Sequence, residues 1–383
     1  MSFQPFSFKI PGEVIFGAGS LAKLPGIVQE KGLGKVLLVS DRGLEAAGFV
    51  GKVTAILEEN GIGCVTYLDV EANPSTETVD KGVKMYKQHN LDGIVCLGGG
   101  SPMDTAKAIA VLVVNGGKIQ EYEGAYKVKE NPATVIAIPT TAGTGSEVTP
   151  FAVITDRSKN YKLTVFTDKV IPAVALLDPE LITTLPPLVA ASTGMDALTH
   201  AIEAYISRAA SPFSDDMAEK AMELIGKNIR LFVANRADID AASGMLLGSM
   251  FAGIAFAWAR LGDVHAMAHP LGGFFGIAHG IANAVLLPTV LEFNALADKG
   301  KYRKIFNYIK DGKVIEGFTP ATLVEEIRQL SNEIGIPKNL TAVGVKEELI
   351  HHMAVDAMKS GNVLVNPRQT TLKDIEELYR IAM

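Results

Sequence analysis

This sequence predicts an α/β domain built on a parallel sheet, followed by an all-α domain. Three observations carry that expectation. Short β-branched runs alternate with helical patterns through the first half, which is how βαβ units feeding a parallel sheet read. Consecutive prolines, Pro186 and Pro187, then break the chain. Beyond them the sequence turns Ala- and Met-rich with a helical period. The boundary is expected near residues 180–186, giving domains 1–184 and 185–383.

Taken in order, the first half offers a strand at 35–41 (KVLLVSD), a helix at 49–61, a strand at 63–70 (GCVTYLDV) and a helix at 76–90. A strand at 92–100 (DGIVCLGGG), a helix at 102–115 and a strand at 134–141 (TVIAIPTT) follow. These strands are continuous apolar runs because helices are to cover both faces of the sheet. FGAGS at 16–20 reads as a turn after an N-terminal hairpin. In the second half the helical candidates are 188–207, 213–234, 239–258, 262–271, 279–294, 320–335 and 346–358.

With 383 residues and 48% hydrophobic content, the chain can bury two sizeable cores. No uninterrupted apolar run approaches the roughly 20 residues of a membrane span. MSFQPFSFKIPG lacks the regions of a signal peptide, so no membrane partner and a cytoplasmic location are expected. A net charge of −6 without a Lys/Arg cluster argues against a nucleic-acid partner. Cys64 and Cys96, in apolar strand-like contexts, read as core packing.

Gly98-Gly99-Gly100-Ser101-Pro102-Met103-Asp104 follows a buried strand and opens a helix, with Pro102 in its first turn. Bare backbone, unpaired N–H groups and the helix dipole make such a turn a cradle for an anion. A second strand ends in the small, hydroxyl-rich loop Pro139–Ser146. Two such loops on neighbouring strands point to a dinucleotide, so the first domain is Rossmann-like with an atypical GGGS loop in place of GxGxxG. Asp41, ending the strand at 35–41, is placed to accept from an adenosine ribose and repel a 2′-phosphate, or alternatively to cap the next helix. Asn73 either contacts the same nucleotide or makes an Asx turn.

The second domain holds four potential metal ligands within the pattern Asp196-x-x-x-His200, His265-x-x-x-His269-Pro270-Leu271-Gly272 and His279-Gly280. Of only seven histidines, three crowd into the fifteen residues from His265 to His279. Asp196 and His200 lie four apart in a helical run, so they emerge from one face and can grip one ion. A carboxylate with neutral imidazoles suits iron(II) or zinc and suits calcium or magnesium poorly.

GGGSPMDTAKAI, IPTTAGTGSEVT, TGMDALTHAIEAY and HAMAHPLGGFFGIAHGIANAVLLP, in that order, resemble the signatures of the iron-dependent, group III alcohol dehydrogenases, and the likeness covers nearly the whole chain. The resemblance implies a metal-dependent enzyme moving hydride between a small primary alcohol and NAD, with Fe(II), or alternatively zinc, on Asp196, His200, His265 and His279. It implies nucleotide contacts at Asp41, Asn73, Gly98, Gly99, Ser101, Asp104, Thr140, Thr141, Thr144 and Lys162. It places His269 near the nicotinamide as a candidate proton relay, and Phe151, Phe256 and Leu261 in the substrate pocket. An apolar Phe151 favours simple primary alcohols and aldehydes over diols. Trp258, Arg260 and Asp263 depart from the family's pattern. A small alcohol or aldehyde is the expected partner, with a homodimer or larger homo-oligomer, and the site is expected in a cleft between the domains. The alternatives are a relative resembling glycerol dehydrogenase or maleylacetate reductase and, from another class, a metal-dependent hydrolase or lyase, against which the two nucleotide loops argue.

Overall fold

The computed structural model describes residues 6–159, 161–310, 312 and 316–383. These divide into two compact units: residues 9–141 with 145–182, and residues 142–144 with 183–383 together with residues 6–8.

The α/β unit runs β1 (Glu13–Phe16), α1 (Leu24–Glu30), β2 (Lys35–Val39), α2 (Arg42–Ala46), α3 (Phe49–Glu59), β3 (Gly63–Tyr67), α4 (Thr76–Gln88), β4 (Gly93–Gly98) and α5 (Gly100–Asn115). It continues with β5 (Gly124–Ala125), β6 (Val135–Pro139), β7 (Phe151–Asp156), β8 (Tyr161–Phe166) and β9 (Val174–Leu177). Six strands form a parallel sheet in the order β1-β9-β6-β4-β2-β3, and β5-β8-β7 form a second, smaller one. Period-two alternation sorts the strand residues to two faces. Val36, Leu38, Val95, Leu97, Ile136 and Ile138 pack with α1 and α3, while Leu37, Val39, Ile94, Cys96, Val135 and Ala137 pack with α4 and α5. Each fully buried Val, Leu or Ile contributes about 1.5–3 kcal/mol. Both faces are apolar, so the register is held by shape and by the long crossovers, the reason the strands read as unbroken runs.

Adjacent strands β2 and β4 send their following helices, α3 and α5, to opposite faces. That is the switch point where an open parallel sheet leaves a crevice at its carboxyl edge. The expected N-terminal hairpin is not what forms: β1 pairs in parallel with β9, from Glu13↔Val174 to Phe16↔Leu177. Its partner lies far along the chain, beyond the reach of a local pattern.

The helical unit comprises α6 (Pro187–Ile206), α7 (Pro212–Ala234), α8 (Ile239–Ala259), α9 (Asp263–Phe275), α10 (His279–Asn294), α11 (Lys301–Ile309), α12 (Pro320–Glu333), α13 (Ile350–Ala357) and α14 (Leu372–Ala382). α8 and the run His279–Ala297 are long and apolar enough to cross a membrane, but 67% of each apolar window is buried within the protein. They are therefore read as core helices, apolar on all sides because other helices surround them.

Candidate metal centre and nucleotide loops

In the α/β unit, Gly98 ends β4 in register with Pro139 of β6, and Thr140 N donates to the Gly98 carbonyl at 3.1 Å. The two predicted loops therefore stand side by side. A Cβ on Gly98 would lie 2.5 Å from Pro102 Cγ, so the tight turn into α5 admits only glycine. The N-cap of α5 is Gly99, with no side-chain cap, which leaves first-turn N–H groups for an anion. Thr141 lines the same turn, its Oγ1 3.1 Å from where a Cβ on Gly99 would sit. Ser101 lies half-buried in the first turn of α5, whereas Thr144 belongs to the segment that clusters with the helical unit.

Asp41, at the end of β2, caps α2 by accepting from Leu44 N at 3.0 Å. Asn73 stands at φ 56°, and its Oδ1 accepts from Lys162 Nζ at 2.7 Å, so these two sequence candidates meet. Both oxygens of Asp104 are engaged inside the protein, by Ser146 Oγ at 3.0 Å and Val153 N at 3.2 Å, and it braces the second loop against α5. Beside it, buried Lys107 donates to Ser146 Oγ, the Thr149 carbonyl and the Phe151 carbonyl at 2.9–3.0 Å. Burial pushes Lys107 down to about 8 and neighbouring Glu147 up to about 7. Phe151, half-buried, stacks on Phe166 with ring centroids 5.0 Å apart.

In the helical unit, Asp196 and His200 share one face of α6, His265 comes from α9, and His279 is the first residue of α10. One potential ligand atom from each lies within 4.8 Å of all the others. α10 reaches α6 because residue 280 is glycine: a Cβ there would lie 2.3 Å from the Ser192 carbonyl oxygen. Asp196, His200 and His265 are buried, whereas His279 is half-exposed and His269 exposed, so the cluster opens on that side. A three-sided buried donor set with an open side is what a reactive metal site requires. His269 stays outside the ligand group, its ring 5.5 Å from that of His279 and 6.4 Å from that of His265. Phe256 stacks on His200 at 4.3 Å, and Leu261 is buried just ahead of α9. Phe151 and Phe256 belong to different units.

Whether the cluster fits a cation is tested by Asn283, one turn after His279. Its Nδ2 is 2.6 Å from Asp196 Oδ1, 3.0 Å from His265 Nε2 and 3.1 Å from His279 Nε2, while its Oδ1 is buried without a partner. An amide has two hydrogens to offer these three acceptors. Three bare acceptors converging on one point suit a divalent ion better than an amide. Burial holds His200 below the usual imidazole range and, with the neighbouring histidines, His265 well below it. Both are therefore neutral near pH 7, the form that ligates metal.

Asn283 and Glu203 escaped sequence reasoning, although the spacings His279-x-x-x-Asn283 and His200-x-x-Glu203 place both on ligand-bearing faces. Asp263 proves to be a tie to the C-terminal segment: its Oδ2 accepts from Thr370 Oγ1 at 2.6 Å. Arg260 ends α8 at φ 64°, an uncommon conformation for a residue with a side chain.

Comparison with known proteins follows this division. Residues 11–179 match the family described as iron-containing alcohol dehydrogenase, and residues 190–383 match the C-terminal part of the Fe-containing alcohol dehydrogenase family. The chain is 39% identical to a 1,3-propanediol dehydrogenase of Citrobacter freundii, covering 100% of both. It is 37% identical to an NAD-dependent methanol dehydrogenase of Bacillus methanolicus, covering 98% of this chain and 100% of that one. Its fold superposes on a crystal structure of 1,3-propanediol oxidoreductase with a TM-score of 0.96 at 38% identity, over 99% of this chain and 100% of that one.

Proposed function

This chain belongs to the iron-containing alcohol dehydrogenase family, and we propose that it transfers hydride between a small primary alcohol or aldehyde and NAD(H), with iron(II) as its metal and zinc as the alternative. The observation that carries the reading is the convergence of Asp196, His200, His265 and His279 within 4.8 Å, in a chain whose α/β unit also presents a glycine-turn cradle at its switch point. When bound, the ion supplies Lewis acidity towards a substrate oxygen and the nicotinamide supplies or accepts the hydride.

The chain's own residues do the rest. His200 donates Nδ1–H to the Gly143 carbonyl at 3.3 Å, which leaves its Nε2 bare towards the cluster. Phe256 and Leu261 are proposed to offer the substrate carbon an apolar wall, and the apolar Phe151 is the residue that leans towards small primary alcohols over diols. His269, the exposed imidazole beside the ligands, is placed to hold and pass a proton at a ring nitrogen. On the cofactor side, Gly98, Gly99, Ser101, Thr140, Thr141 and Thr144 are the proposed phosphate and nicotinamide loops, braced by Asp104. Asn73, Lys162 and Asp41 are proposed to meet the adenosine end. The proposed location is the cytoplasm.

The proposed assembly is a homodimer or larger, supported by the edge position of β1, whose Val14 and Phe16 are exposed together with Phe6, Phe8 and Ile10 at alternate positions before them. The catalytic reading is tested by His265→Ala and His279→Ala. Each is expected to abolish NADH-dependent reduction across a panel of short aldehydes while NADH fluorescence still reports binding, because all the proposed nucleotide contacts except Thr144 lie in the other unit. Full metal content and normal turnover in either variant would refute the ligand assignment.

A further inference from the structure

Glu203 lies three residues after His200 on α6 and is 2% exposed. Its Oε2 is 2.5 Å from His265 Nδ1, and its Oε1 accepts from Val264 N at 2.7 Å. The direction of the first bond follows from the other side of the ring. Asn283 Nδ2, which can only donate, stands 3.0 Å from His265 Nε2, so this contact suits a bare Nε2, with the proton on Nδ1 and Glu203 accepting it. Val264 is the second residue of α9, a helix whose N-cap, Gly262, has no side-chain cap. Glu203 thus caps α9 from a neighbouring helix, and a Cβ on Gly262 would come within 2.9 Å of its Oε1.

We infer that Glu203 is a positioning residue for the metal centre: one buried carboxylate fixes the tautomer and ring direction of His265 and docks the start of α9 on α6, which carries Asp196 and His200. The inference rests on the metal reading above. An imidazole ligand held by a carboxylate is both oriented and made more basic, and loss of such a partner typically costs ~10- to 100-fold in metal affinity. Among the described residues, His200 Nδ1 meets the Gly143 carbonyl at 3.3 Å rather than a carboxylate.

The experiment is a cobalt(II) titration of chelator-stripped protein, read by the visible bands of the bound ion and by competition with a chelating dye. Glu203→Gln is expected to bind cobalt(II) ~10- to 100-fold more weakly than wild type, with NADH affinity unchanged. Equal cobalt(II) affinity in the two proteins would overturn the inference and leave the metal centre standing. No cobalt(II) binding by wild type would overturn both. Because removal of a buried cap can impair folding, ¹⁵N shifts of histidine-labelled, metal-free wild type provide a second measurement that needs no variant: protonated Nδ1 and bare Nε2 on His265 support the inference, and the reverse overturns it.

Discussion

His269 and Asp41 are single side chains whose roles separate cleanly in kinetics. His269→Ala should leave metal bound and slow turnover by ~10²- to 10⁴-fold, the usual cost of a lost proton-transfer group. An unchanged rate and pH profile would remove it from the relay, and a loss confined to cofactor affinity would make it a pocket wall. Asp41 already accepts Leu44 N, so its cap is a fact and its nucleotide role a proposal. Asp41→Gly should lower kcat/KM with NAD and raise it with NADP, since a carboxylate repels a 2′-phosphate. An unmoved cofactor ratio with a loss of stability would mean that the cap is its whole function. At this scale the four candidate ligands were legible because Asp196-x-x-x-His200 and the histidine cluster are rare patterns. Asn283 and Glu203 were not, because an Asn or Glu inside an Ala-rich helix looks like any solvated residue until its neighbours close over it.

Elements carry the site by how they meet. Gly280 lets α10 lie against Ser192 of α6, and Lys107 ties α5 to the backbone leading into β7. That second junction is pH-sensitive. Burial raises Glu147 from 4.5 to about 7, so the folded state holds its proton more tightly than the unfolded state. Its contribution is fully present below pH ~4.5 and is lost as pH rises through about 7. Lys107 faces it and opposes the shift by stabilising the carboxylate. Glu147→Gln should therefore gain stability relative to wild type as pH rises from 5 to 8, seen in urea midpoints; a constant difference across that range would mean that Glu147 is ionised throughout. Long periodic helices such as α6, α7, α8 and α10 were readable to within a residue or two, as were β2, β4 and β6, whereas β3 ends three residues before its expected limit. The short α11 and α14 were not among the expected helices although both are strongly amphipathic, and β1 and β9 escaped because their pairing is long-range.

For the molecule as a whole, the fold class was written in the switch from strand–helix alternation to helical period, and the chemistry in motifs that span both units. The smaller sheet of β5, β8 and β7 was not, since β7 and β8 interrupt the βαβ rhythm with an antiparallel pair. Hydride transfer by this chain is proposed to depend on a metal held by Asp196, His200, His265 and His279. That dependence is tested most directly by stripping the protein with a chelator and following NADH oxidation by one short aldehyde under anaerobic conditions, before and after iron(II) is restored. Turnover is expected only after reloading, with NADH binding the same in both states. Turnover by the stripped protein at the reloaded rate would contradict it.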